Sequence, residues 1–120
     1  TGVSEYYYLY LGQIDQVFET SREAIAQKAS DQNAWAIQFA FYREEVLPVL
    51  TAENAGDFVD GVLATKAYLE SYNQTHTGQI TVSEEDGAFL AAVEELAGAG
   101  LSGEDTLTRL QALFSTETAS

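Results

Sequence analysis

Apolar side chains recur every three or four residues along almost the whole chain, and a single proline, Pro48, interrupts them. That spacing is the period of an α-helix; a half-buried strand would alternate apolar and polar instead. The chain is therefore expected to be all-α. Its 120 residues fit one domain, long enough to bury a core without a metal or disulfide.

The stripes place five amphipathic helices. Tyr7, Leu11, Ile14, Phe18, Ser21 and Ile25 predict a first helix over about residues 4–29, with Ser4 as N-cap and Glu5 near the positive dipole end. The second is expected over 32–47, opened by the polar cluster 30–33. Trp35, Phe39, Tyr42 and Val46 form one stripe and Ile37 and Phe41 another, which predicts a central helix packed on both faces. Pro48 should end or kink it, because proline lacks the backbone donor. The third helix, about 52–72, carries Phe58, Val62, Leu69 and Tyr72. Thr65 falls on the same stripe, and its hydroxyl is expected to bond a carbonyl one turn earlier. The longest loop follows, Asn73 to Ile80, with a short extended piece at 79–82. The fourth helix, 83–97, starts at Ser83, with Asp86 completing a capping-box pattern and Gly98-Ala99-Gly100 as its stop. Ser102, Glu104 and Asp105 open the fifth, over 102–114, with Leu107, Leu110 and Phe114 inward. Residues 115–120 are expected to fray. The fold expected is a single-domain bundle of about five helices.

Charge narrows the partners. Nineteen acids against five bases leave a net charge of −14. Residues 1–60 hold ten acids and three bases, residues 61–120 nine and two, so each half carries −7. The whole solvated surface is negative rather than one tail. Such a field repels phosphate backbones and anionic membranes and attracts basic protein surfaces. Direct nucleic-acid binding is disfavoured. No stretch approaches about 18 uninterrupted apolar residues, so no membrane span is expected. The run from Tyr6 to Leu11 is too short, and lacks the basic flank, for a signal peptide.

Motifs for chemistry are missing. The chain has no Cys and one His, His76, which reads as a solvated loop residue. Glu44-Glu45, Glu84-Glu85-Asp86 and Glu94-Glu95 contain no Glu-x-x-His pair and no alternating calcium loop. Adjacent acids on a helix diverge by about 100°, so these read as solvated faces or helix starts. No metal and no cofactor is expected, and the chain is read as a non-enzyme. Asn73-Gln74-Thr75 matches the glycosylation acceptor pattern, which recurs by chance. The dispersed bases have acids nearby: Arg43 beside Glu44-Glu45, and Lys66 four residues before Glu70.

The most informative run is Tyr6-Tyr7-Tyr8-Leu9-Tyr10-Leu11. Six consecutive large side chains on a helix point in every direction, and one core can use only one stripe. Tyr6, Tyr8, Leu9 and Tyr10 are therefore the expected protein interface, because tyrosine suits surfaces that are apolar and wet by turns. Three functions follow. The first is a protein-interaction module, a structural or adaptor subunit of an assembly such as a virus-particle-type complex, self-associating through the aromatic helix. The second is an acidic inhibitor or immunity-type protein that occludes a partner's basic, nucleic-acid-binding surface. The third is a small-molecule-binding bundle with an apolar pocket lined by Trp35, Phe39, Tyr42 and Phe58.

Overall fold

The structure, a computed structural model, describes residues 2–76 and 80–119, with the side chains of 7–76 and 80–112. Its helices are α1 (Gly2–Leu11), α2 (Ile14–Ala26), α3 (Gln32–Phe41), α4 (Ala55–Thr75), α5 (Glu84–Gly98) and α6 (Gly103–Ala119). No strand occurs among the described residues, and none of their helices is long and apolar enough to cross a membrane. The all-α bundle read from apolar spacing is the fold observed.

The first expected helix is two helices. Gly12 has φ +75°, a left-handed conformation open to glycine at little cost. Its N–H bonds the Leu9 carbonyl and the Gln13 N–H bonds the Tyr8 carbonyl, each at 3.0 Å. That pair of bonds is a Schellman stop, which satisfies two carbonyls at the end of α1. The chain then restarts at Ile14 in a new direction. Ile14, Phe18, Ser21 and Ile25 are buried as their spacing predicts, whereas Tyr7 and Leu11, upstream of the break, face outward.

The second expected helix also changes form. Asp31 caps α3 by accepting from the Asn33 N–H at 2.9 Å. After Phe41 the helix widens into a π turn at Tyr42–Val46 and tightens into a 3₁₀ turn at Leu47–Val49. Pro48 is the physical reason: it has no N–H to give the carbonyl four residues back, and its ring crowds that carbonyl. The re-aimed turns bury Tyr42, Val46 and Leu47 together. The expectation of a helix packed on both faces is corrected. Phe41 is half-buried, but Ile37 is 69% exposed.

Helix α4 is the hub, packed against α2, α5 and α6. Phe18 of α2 lies directly on its backbone at Gly61, where a Cβ would overlap the ring. Thr65 is fully buried; its hydroxyl donates to the Gly61 carbonyl at 2.9 Å and accepts from the Tyr42 hydroxyl at 3.2 Å. The backbone bond expected of Thr65 is thus present. Close packing recurs at Gly103, which meets the Ala52 backbone and sets α6 against the turn before α4.

Between α4 and α5 residues 80–83 belong to no helix and pair with no strand, and Ser83 is extended; Gln79, expected in the same piece, lies outside the described residues. Two side-chain amides take the place of a neighbouring strand. Asn73 of α4 donates to the Ile80 carbonyl and accepts from its N–H, both at 2.9 Å. Gln32 of α3 does the same for Thr81, accepting from its N–H at 2.7 Å. Ser83 then caps α5 by accepting from the Asp86 N–H at 3.1 Å. The Asp86 carboxylate does not close the expected capping box. It turns to Arg43.

Candidate functional site

The aromatic helix α1 packs chiefly on α2. Its outer face carries Tyr7, Tyr10 and Leu11, at 59%, 88% and 45% exposure. These positions are three and four residues apart, so they form one ridge. Tyr8 and Leu9 are half-buried against the core, and the Tyr8 ring meets Tyr7 edge-on at 5.6 Å. Of the four residues expected at an interface, Tyr10 is therefore open, Tyr8 and Leu9 are partly used by the fold, and the Tyr6 side chain lies outside those described. Tyr7 and Leu11 were expected inward and take the open positions. The signal that could have found them is Gly12: a helix stop there releases α1 from the phase of α2.

The four rings expected around a pocket meet one another instead. Trp35, Phe39, Tyr42 and Phe58 are each at most 1% exposed. Phe18 joins them, with ring centroids 4.6 Å from Tyr42 and 5.7 Å from Phe58. The Trp35 indole N–H donates to the Ala29 carbonyl at 2.8 Å. Trp35 and Phe39 line an open cleft of about 260 Å³, together with Gln32, Ile80, Val82 and Asp86 among others. Tyr42 and Phe58 are not among the residues that line this cleft.

The buried charges are structural. Arg43 leaves its sequence neighbours Glu44 and Glu45 to solvent and spans to the start of α5. Its Nε lies 3.1 Å from Asp86 and a terminal guanidinium nitrogen 2.7 Å from Glu85. The expected local pairing fails because neighbours on a helix point apart, while the π turn aims Arg43 inward. Lys66 pairs with Glu70 at 2.7 Å as its spacing predicts, and also with Glu94 of α5 at 3.3 Å. The hydrogen bond to Glu70 is the main reason its pKa stands above the ordinary value; partial burial lowers it, and Glu94 adds to the rise.

His76, at the end of α4, is exposed and stacks on Tyr72 at 3.9 Å. Its Nδ1 lies 3.0 Å from the Tyr72 carbonyl and 2.8 Å from the Thr75 hydroxyl, so the ring serves the helix end. Among the described residues no group of three or more His, Cys, Asp or Glu is placed to hold a metal ion. Asn73, in the acceptor pattern, has its amide committed to Ile80. Comparison of the chain with protein-family models, with curated proteins and with solved structures gives no match.

Proposed function

We propose that the chain is a non-enzymatic protein-interaction module, a structural or adaptor subunit of a larger assembly, which associates through the outer face of α1 and in the first instance with a second copy of itself. The observation that carries the reading is the ridge of Tyr7, Tyr10 and Leu11. Tyrosine buries a large apolar area at little rotamer cost and keeps a hydroxyl for the rim, which is why it anchors interfaces. From Tyr6 to Ile14 the sequence carries no charge, so two acidic molecules can meet there with the least direct repulsion.

The experiment is sedimentation of the wild type at micromolar concentration beside a Tyr7→Ser, Tyr10→Ser, Leu11→Ser variant. The variant should keep the far-ultraviolet spectrum of a folded helical protein and sediment as a monomer, while the wild type associates. A wild type that stays strictly monomeric and recovers no partner in affinity capture would remove the reading, as would a variant that associates unchanged.

The even charge supports a second reading, an acidic inhibitor-type protein seated on a basic surface. The two readings separate by salt. Charge-driven binding weakens steeply with added salt, whereas the α1 contact between like-charged copies holds or tightens. A small-molecule-binding bundle draws no support from a core whose rings meet one another.

A further inference from the structure

We propose that residues 80–83 form a releasable strap, which parts from α3 and α4 as one unit while the bundle stays folded, and so controls solvent access to the aromatic stripe of α3. The inference is independent of the α1 reading.

Its first support is how the strap is held. The segment has no helix or strand ladder to hold it; its backbone is fixed by one amide from each of two helices, Asn73 on Ile80 and Gln32 on Thr81. Gln32 and Thr81 are exposed, so water can replace their bonds as soon as they open. Of the strap's side chains only Ile80 is buried; Val82 is half-buried, and Thr81 and Ser83 are exposed. The second support is the cleft of about 260 Å³ between the strap and α3. Surfaces already separated by a gap have few dispersion contacts to lose. Opening therefore costs two exposed and two part-buried hydrogen bonds and the packing of Ile80 and the half-buried Val82, less than disrupting the core around α4. Local openings of this kind are drawn from the least-packed elements of a fold.

What the strap covers is specific. Gln32, Trp35, Ala36 and Phe39 line the cleft from the α3 side. They stand at helical positions one turn apart, on a stretch free of charged residues from Gln32 to Tyr42. The strap ends where Ser83 caps α5 and the Arg43–Asp86 pair anchors that helix, so release stops there.

The test is native-state hydrogen exchange on the full chain, with each clamp cut separately. Asn73→Ala removes the partner of Ile80 and leaves the Gln32–Thr81 pair intact; Gln32→Ala does the reverse. If the strap moves as a unit, Asn73→Ala speeds exchange at the Thr81 amide, and Gln32→Ala speeds it at Ile80, by about tenfold in each case. Amides at Val62 and Leu69 of α4 should keep their rates. Trp35, the chain's one tryptophan, should become more accessible to acrylamide quenching in both variants. The proposal is overturned if each substitution affects only the amide whose acceptor was removed, if strap and α4 amides speed up by the same factor, or if Trp35 quenching does not change.

Discussion

At the scale of single residues, one close approach in the fold depends on a hydrogen atom standing where other residues have a Cβ. Gly61 presents bare backbone to the Phe18 ring, and the α2–α4 contact closes on it. Gly61→Ala should destabilise the protein by about 1–3 kcal/mol in chemical denaturation, although alanine favours an isolated helix by about 1 kcal/mol. A neutral or stabilising result would mean that the ring shifts freely. Nothing in the sequence marks this glycine, because the stripe containing Phe58, Val62 and Thr65 does not reveal which neighbour lies over it. Thr65 itself was legible: a hydroxyl on an apolar stripe has a backbone carbonyl one turn back as its ready partner. That Tyr42 would supply its second bond depends on the π turn.

At the scale of elements, the serine caps of α5 and α6 were read correctly, whereas Ser4, expected to cap the first helix, stands inside α1, which begins at Gly2. Ser83 and Ser102 accept from the N–H three residues on, as a serine before an acidic first turn implies. The pairing of Arg43 was misread because distant demands compete there. Arg43 pairs with carboxylates more than forty residues away because the turn forced by Pro48 faces the start of α5. The side chains of Arg43 and Asp86 are 13% and 8% exposed, so removing one partner strands a largely desolvated charge. Arg43→Met should cost about 2–4 kcal/mol, and adding Asp86→Asn should restore at least about 1 kcal/mol of it. A double-mutant cycle in denaturant measures both. Simple additivity would show that the pair contributes nothing as a pair.

At the scale of the whole molecule, one core serves all the helices, and a radius of gyration of 13.8 Å is near the 13–14 Å or so of a single compact domain this long. Around that core sits a charge of −14, with Arg43 and Lys66 already engaged by carboxylates. Confining that charge in a small volume opposes folding, and screening relieves it. The midpoint of thermal unfolding should therefore rise by several degrees between low salt and about 0.5 M sodium chloride, a shift of roughly 1 kcal/mol. A midpoint that falls, or stays flat, would mean that the local ion pairs outweigh the overall repulsion.

Sequence alone determined the class of fold, the buried stripe of α2, the serine caps of α5 and α6 and the sign of the surface, because each depends on periodicity, local hydrogen bonding or a sum of charges. Tertiary structure decided which tyrosines are free. A left-handed Gly12 separates α1 from α2, so the phase of a single long helix no longer holds, and Tyr7 and Leu11 turn out while Tyr8 and Leu9 settle onto the core. It also decided that the aromatic set around Trp35 fills the interior, since whether rings enclose a space or close on one another depends on how helices distant in sequence approach.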